Sequence, residues 1–422
     1  MRVVIVGGGV IGISTAYWMR EYGADVTIIE RRSAVGEETS ARNGSLLHPS
    51  LAEPWNSPGI FRTMISNFGR EDSAMLLRLG ALPSMIGWGL RFVRESSPDR
   101  FKANALRNMR LAVNSTHELA RIRAATNINF HWYKRGTLTV FRERKALDEA
   151  RRWYESLAGV GISVETLDPA GVLAVEPTLA DVVTHLVGAI HAGNDEAGDP
   201  QAYSRELAGW LVKAGVQLRL NQSVNRIKRR AGRIDGFELA SGECVTADHY
   251  ILAAGSYTVP LAESTGIRLP VRPVKGYSLT LPRISDAVAP WTPVADAAMH
   301  MAVIPVGSDR IRVAGTAEFC GFDTAPNPSR AANLLSLLGG IFPQFASRVK
   351  GLDTQPWNGL RAVSADGVPL IGPTQHPNLW VNTGQGHAGW TLAAASGRLL
   401  ADLICGQQTA VSEADYTPLR FN

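Results

Sequence analysis

Three glycines near the N-terminus have the spacing of a turn that holds a diphosphate. They are Gly7, Gly9 and Gly12, and Glu30 ends the second apolar run roughly 20 residues further on. In such a turn the first glycine permits a tight bend after a strand, the second lets backbone N–H groups approach a pyrophosphate, and the third allows a helix to pack closely on a strand. A carboxylate at the position of Glu30 can accept a ribose hydroxyl proton. These residues predict dinucleotide binding; the alternative is a glycine-rich turn in an unrelated α/β protein.

This motif does not choose between FAD and a nicotinamide cofactor, and Arg31 with Arg32 leaves a phosphorylated nicotinamide open. A second glycine-rich loop, 384–389, is more selective. A helical stretch follows it but no acid-ended strand, so it is not a second dinucleotide unit. A helix N-terminus carries about half a positive charge, which suits the N1–C2=O edge of a flavin, where negative charge accumulates on reduction. The alternative is an ordinary helix start.

A third segment, residues 359–372, contains a candidate for anion capture. Arg361 is followed by a turn-rich stretch and then by a strand. Its guanidinium has the fork geometry that binds a carboxylate in a bidentate manner. On the residues alone, a surface salt bridge is the competing interpretation.

The elements that must position these groups follow from periodicity. Residues 2–6 and 26–29 read as strands around a helix that ends near Tyr22. Further helices are predicted over 99–125, 144–158, 200–214 and 390–404, and further strands over 128–133, 136–141, 216–220, 224–228, 234–239, 249–254, 274–281, 299–306, 310–318 and 379–382. Residues 40–95 read as irregular. Nucleotide-type pieces therefore lie at both ends of the chain and near 216–255.

Composition excludes several classes of protein. The 422 residues carry a formal net charge of +5, but the densest basic run, 228–230, reads as a solvated turn, so no nucleic-acid partner is expected. Cys244, Cys320 and Cys405 are far apart and form no C-x-x-C pair, which predicts neither a disulfide framework nor a metal site and indicates a reducing compartment. We expect no signal peptide and no membrane span. Residues 79–90, flanked by Arg78, Arg91 and Arg94, read either as a buried helix or as an interfacial one.

Eight segments together resemble one family over nearly the whole chain. They are VVIVGGGVIGISTAYWM (3–19), ETSARNGS (38–45), LAEPWNSPG (51–59), GNDEAGDP (193–200), ILAAGSYT (251–258), VKGYSLT (274–280), GLRAVSADGVPLIG (359–372) and NTGQGHAGWTLA (382–393). In this order they resemble the glycine oxidase and D-amino-acid oxidase family of flavoproteins, and within it the small subunits of bacterial D-amino-acid dehydrogenases. The resemblance implies an α/β fold: a discontinuous Rossmann-type FAD-binding domain (1–85, 168–258 and 356–422) and a second α+β substrate domain on a mixed or antiparallel sheet (86–167 and 259–355).

The resemblance also implies roles for individual residues. Arg361 would grip a substrate carboxylate, and Tyr277 is a candidate carboxylate or amine contact. The residues expected to hold FAD are Gly7, Gly9, Val10, Ile11, Gly12, Glu30, Arg31, Ser40, Arg42, Asn43, Gly44, Ser45, Leu46, Val224, Ala254, Gly255, Gly359, Arg361, Gly384, Gly386, His387, Ala388, Gly389, Trp390 and Thr391. No cysteine lies between Arg361 and Gly389, so non-covalent FAD is expected.

The sequence departs from the family beside the flavin. Gly44-Ser45-Leu46-Leu47 stands where the dehydrogenases often have Ala-Gly-Gln-Ile, and His48 replaces a small residue. This puts the substrate preference in doubt, and His48 and His300 become candidates for the active site. A core or surface role is the alternative for each histidine.

The implied reaction is oxidative deamination of a D-amino acid to a 2-oxo acid and ammonia. Hydride passes from the substrate Cα to flavin N5, and the electrons pass to a quinone or another carrier. Two alternatives stay open: oxidation of a cyclic imino acid (hydroxy-D-proline or proline) or of glycine or sarcosine, and a non-catalytic electron-relay subunit. The expected location is cytoplasmic, with a peripheral contact to the inner membrane and a partner subunit as further expectations.

Overall fold

A six-stranded sheet carries the first glycine-rich turn. This computed structural model describes residues 1–60, 62, 69–71 and 73–421. The strands of the sheet are β1 (Arg2–Val6), β2 (Asp25–Ile29), β9 (Gln217–Arg219), β13 (His249–Leu252), β19 (Leu370–Pro373) and β20 (Leu379–Thr383). They lie in the order β19-β20-β13-β1-β2-β9, and every neighbouring pair is parallel except β19–β20. Residues 3–6 are apolar and buried without alternation, as expected for a parallel strand covered on both faces.

A nine-stranded mixed sheet forms the second layer. Its strands are β4 (Met75–Leu77), β5 (Thr137–Phe141), β6 (Glu165–Leu167), β7 (Gly188–Ala192), β14 (Val271–Pro282), β15 (Val294–Asp296), β16 (Met301–Val306), β17 (Arg310–Phe319) and β18 (Pro356–Ser364). Their order is β18-β14-β17-β16-β15-β5-β7-β6, with β4 added beside β17. Only the β15–β5 and β17–β4 pairs are parallel. The predicted fold class, a Rossmann-type part with a second mixed sheet, is confirmed.

Two small sheets complete the strands of the described residues. One is a meander of β10 (Val224–Arg230), β11 (Arg233–Leu239) and β12 (Cys244–Val245), and the other pairs β3 (Leu46–Leu47) with β8 (Glu196–Ala197). The helices of eight or more residues are α1 (Val10–Glu21), α2 (Leu82–Arg94), α3 (Pro98–Thr126), α4 (Arg144–Glu155), α6 (Pro200–Lys213), α8 (Pro328–Gly339) and α10 (Gly389–Cys405). Shorter helices are α5 (Pro169–Val175), α7 (Thr258–Glu263) and α9 (Pro343–Val349).

The two ends of the chain pack together in the main core. Helix α1 lies against α10, and the Trp18 indole N–H donates to Ala394 O at 3.1 Å. A Cβ on Gly397 would lie 2.7 Å from Ser14 C, so this contact needs a glycine. Both helices therefore reach the same edge of the six-stranded sheet, where each begins at a glycine-rich turn.

One prediction about local structure is wrong, and another is confirmed in part. Residues 128–133 are not a strand: Asn127 (φ 50°) ends α3, His131 also has a positive φ of 56°, and Tyr133 makes only an isolated bridge to Ala197. Two left-handed residues within five positions break an extended run. Residues 40–95, predicted to be irregular apart from a possible helix over 79–90, contain α2 (Leu82–Arg94), which confirms that helix and extends it by one turn.

Sheet membership also differs from the predicted domain limits. Residues 75–77, 188–192 and 356–364 were assigned to the FAD-binding part but form strands of the nine-stranded sheet. The chain therefore crosses between the two layers at more places than its composition indicates.

Candidate functional site

The first glycine-rich turn leaves the N-terminus of α1 open to a ligand. Gly7 has a φ of +114°, and its N–H donates to Ile29 O at 2.9 Å. A Cβ on Gly12 would lie 1.9 Å from Gly7 O, so only glycine lets α1 approach β1 this closely. The cap residue Gly9 has no side chain, and the first turn of α1 has no acidic residue. The positive end of this helix is therefore available to a phosphate.

The acidic residue at the end of β2 supports the turn. Glu30 Oε2 accepts the Gly8 N–H at 2.6 Å, and Oε1 accepts the Arg32 N–H at 2.8 Å. Each carboxylate oxygen keeps a second lone pair, with which it can accept a ribose hydroxyl. Arg31 and Arg32 both pair with Glu38, at 2.7 and 2.5 Å. The Glu38 carboxylate offsets the positive charge of the two arginines, so less of that charge is left to bind the extra phosphate of a phosphorylated nicotinamide.

A single cavity of about 1400 Å³ joins the glycine-rich turn to Arg361. It exceeds the roughly 300–1,000 Å³ of a pocket for one small molecule, as a dinucleotide together with a substrate requires. The predicted site residues that line it are Gly7, Gly9, Val10, Ile11, Glu30, Arg31, Ser40, Arg42, Asn43, Gly44, Ser45, Leu46, His48, Val224, Ala254, Gly255, Tyr277, His300, Gly359, Arg361, Gly386, His387, Gly389 and Trp390.

Four predicted cofactor residues do not line the cavity but lie behind its wall. Gly12 packs on the β1 turn, and Gly384 bends the chain with a φ of +85°. Ala388 is buried. The Thr391 hydroxyl donates to Leu46 O at 3.3 Å and accepts the backbone N–H of His48, with 3.2 Å between Oγ1 and N. These residues shape the site without facing its interior.

The second glycine-rich loop lies beside the strand of Arg361. A bridge between Val363 and Gln385 joins the loop to β18. A 3-10 turn, Gly386–Ala388, then leads into α10, whose first turn contains no acidic residue. The positive end of α10 therefore lies at the same cavity as Arg361.

Arg361 is a half-buried cation that pairs with no carboxylate among the described residues. Its guanidinium lies across Gly276, where a Cβ would be 2.1 Å from Cζ, and its Nη1 donates to Thr316 O at 3.0 Å. The Trp55 ring lies 5.2 Å from Cζ. Burial lowers the pKa of Arg361 to about 10, so the group stays charged at neutral pH. A charge held partly away from water is costly without a counter-ion, and this one faces a cavity.

Two histidines form a neutral stack next to this guanidinium. His387 stacks on Trp55 at 5.1 Å and lies 6.4 Å from His48. His387 Nε2 is 3.2 Å from Leu51 O, so that nitrogen carries the proton. Burial lowers the pKa of His48 to about 3 and that of His387 to about 4. Near pH 7 both imidazole rings are therefore neutral.

The two remaining catalytic candidates occupy different surroundings. The Tyr277 hydroxyl donates to Glu318, and the ring packs in the core beneath the nine-stranded sheet. Burial raises the pKa of Tyr277 well above its usual range. The hydroxyl hydrogen bonds to Glu318 while the residue lines the cavity, so a contact of Tyr277 with the substrate stays a prediction. His300 lines the cavity but is exposed, with a φ of 50°.

Several lining residues escaped the sequence analysis. Trp55 and Glu53 lie in the LAEPWNSPG segment, which carried the family resemblance but was assigned no role. Gly276 and Thr316 come from β14 and β17, whose pairing beside β18 depends on the folded sheet. Of these residues only Trp55 gave a signal in the sequence, because a large aromatic residue between Pro54 and Pro58 in an irregular stretch indicates a special position.

The fold and the cavity define a protein with a Rossmann-type nucleotide site that opens into one large cavity. The chain belongs to the DAO family, described as FAD dependent oxidoreductase, which matches residues 2–403. It is 38% identical over 421 residues to a D-amino acid dehydrogenase of Methylobacterium nodulans (100% of this chain and 99% of the relative). It is 39% identical over 421 residues to one of Xanthobacter autotrophicus, with the same coverage. It is similar in fold to an L-proline dehydrogenase from P. horikoshii (TM-score 0.78, 18% identity, 100% and 97% covered).

The residues present fit FAD, the cofactor of this family. A Cβ at Gly7 would lie 2.5 Å from Ala253 O, so the cradle at the diphosphate position depends on glycine. The positive ends of α1 and α10 border opposite parts of one cavity, as a dinucleotide with a flavin head requires. None of Cys244, Cys320 and Cys405 lines it, and all three are free, in keeping with a non-covalent cofactor.

Proposed function

We propose that this enzyme oxidises the Cα–N bond of a D-amino acid and releases a 2-oxo acid and ammonia after hydrolysis of the imino acid. The half-buried, unpaired guanidinium of Arg361 inside the FAD cavity carries this proposal. The names of the relatives near 38% identity support the D-amino acid as substrate.

Each residue near Arg361 has a task in this reaction. When bound, FAD supplies the acceptor for the Cα hydride. Arg361 fixes the substrate carboxylate by a bidentate pair, and Thr316 O holds the guanidinium in place. Trp55 and the neutral His387 form a flat wall that excludes water from the reacting carbon. The open N-terminus of α10 places positive charge beside the cofactor.

Anaerobic bleaching of the flavin tests the reaction. The purified enzyme is mixed without oxygen with D-alanine, D-proline, hydroxy-D-proline or glycine. D-Alanine should abolish the flavin absorbance within the time of one turnover. Faster bleaching by D-proline or hydroxy-D-proline would assign the enzyme to cyclic imino acids. If neither these compounds nor D-lysine bleached the flavin, the electron-relay alternative would replace the enzyme.

We also infer that α2 docks this enzyme on an anionic bilayer, from which a quinone takes the electrons. Ile86 and Leu90, one turn apart on α2, are 62% and 70% exposed, and Leu79 in the 3-10 turn before it is 67% exposed. Arg91 and Arg94 in the last turn are exposed, and their positive charges complement the negative charge of anionic lipid. The opposite face packs on the strand of Arg361, where the Trp88 indole N–H donates to Val363 O at 3.1 Å.

Free cysteines support a position on the cytoplasmic side. Among the described helices, none is long and apolar enough to cross a bilayer.

Vesicle flotation measures this docking. Wild-type protein should float with phosphatidylglycerol vesicles, and less with phosphatidylcholine. The double variant Ile86→Glu, Leu90→Glu should lose most of the floated fraction, because it removes apolar area and adds negative charge. Val212→Glu, on an exposed residue of α6, is the matched control and should float like wild type. Equal flotation of the double variant would contradict a docking role for α2.

A further inference from the structure

The cavity continues past Arg361 into a space between α3 and α4 that the reaction itself does not use. We call this space the distal compartment; it is lined by Glu53, Asp99, Lys102, Phe141, Glu149 and Tyr154. Asp99 and Glu149 are exposed, so the compartment meets the solvent there. Three carboxylates against one ammonium group give it a negative potential, the opposite of the surroundings of Arg361.

Glu53 is the inner carboxylate of the distal compartment, and its Oε2 is buried with no hydrogen-bond partner among the described residues. Burial is the main cause, and the nearby negative charge of Asp195 a smaller one, that raises the pKa of Glu53 to about 7. An unpaired buried carboxylate costs stability. Among the described residues no basic side chain pairs with Glu53, so a cationic ligand would offset this cost.

The chain segment around Glu53 aims it along the cavity from Arg361. Leu51, Glu53, Pro54 and Trp55 all line the cavity, and Ala52 beside them is fully buried. Glu53 lies two residues before Trp55, about 7 Å along the wall at the rise of an extended chain. Trp55 in turn contacts the Arg361 guanidinium. The wall therefore has a cation at one end and an anion at the other.

We propose that Glu53 determines substrate specificity and that the substrates are D-amino acids with a cationic side chain, an amine or a guanidinium. This rests on the function proposed above, because it assumes that the α-carboxylate binds Arg361. Asp195 and Tyr154, the titratable groups facing Glu53, add no positive charge that would compete with the ligand.

Inhibition by compounds without an α-amine isolates this contact. The competitive inhibitors 6-aminohexanoate and hexanoate differ only in the terminal ammonium. In the wild type, 6-aminohexanoate should bind about tenfold to a hundredfold more tightly, the value of one charge-assisted hydrogen bond in a buried site. Glu53→Gln should remove this difference and leave hexanoate binding within about twofold. Glu155→Gln, on the exposed outer side of α4, is the matched control and should keep the preference.

Turnover provides the second measurement. The ratio of kcat/KM for D-lysine over D-norleucine should fall by a similar factor in Glu53→Gln, with no fall in melting temperature. Equal losses on both substrates would place Glu53 at the α-ammonium or in the fold and overturn the proposal. A wild type without preference for 6-aminohexanoate or D-lysine would also overturn it. If the wild type oxidised neither substrate, the proposed function would fail instead.

Discussion

Replacing Arg361 by alanine should raise KM for the amino acid by about thirtyfold or more while FAD stays bound. Truncating one partner of a buried charge pair costs about 2–5 kcal/mol, which corresponds to this change in affinity. Arg361 is half-buried, its pKa of about 10 keeps it charged, and no described carboxylate competes for it. Steady-state kinetics with an artificial electron acceptor, together with the flavin absorbance of the purified protein, measures both parts of the result.

Two further variants test whether position matters as much as charge. Arg361→Lys keeps the cation but loses the planar fork, so most of the loss should remain. Gly276→Ala keeps Arg361 but places a Cβ 2.1 Å from its Cζ, which must displace the guanidinium. We expect a rise in KM of at least tenfold for this single methyl group, from the shift of one charge-assisted contact. An unchanged KM in Arg361→Ala would remove this residue from the substrate site.

Gly12→Ala should abolish FAD binding and give a colourless protein. The new Cβ would meet the backbone oxygen of Gly7 at 1.9 Å, and a backbone atom cannot rotate away. Helix α1 must therefore retreat from β1, and its positive end leaves the diphosphate position. We expect the dissociation constant for FAD to rise by at least about a hundredfold, the loss of several backbone contacts to phosphate.

The control for this variant is Gly209→Ala in α6. A Cβ at Gly209 has open space around it, and alanine favours a helix interior by about 1 kcal/mol. This protein should be yellow and at least as stable as wild type. Circular dichroism separates loss of cofactor from loss of fold. A yellow Gly12→Ala protein with normal FAD affinity would show that the glycine-rich turn does not hold the diphosphate.

The sequence allowed the nucleotide-binding half to be predicted because its signals are local. Gly7, Gly9 and Gly12 must adopt one turn between β1 and α1, and the apolar run of β1 fits only a buried parallel strand. The prediction of residues 128–133 as a strand was wrong because apolar content cannot reveal the left-handed backbone at Asn127 and His131. Propensity is a weak guide where loop hydrogen bonds decide the conformation.

The amino-acid sequence by itself determined that a dinucleotide binds, that the turns need glycine and that an arginine able to grip a carboxylate is present, and the family resemblance added FAD. The tertiary structure decided that Tyr277 hydrogen bonds to Glu318, that Gly276 makes room for Arg361, and that Glu53 stands unpaired along the wall. The reason is physical: a turn is fixed by neighbours in the chain, whereas the surroundings of a side chain depend on which strands pair. Residues 55, 276, 316 and 361 meet only after β14, β17 and β18 have found their register.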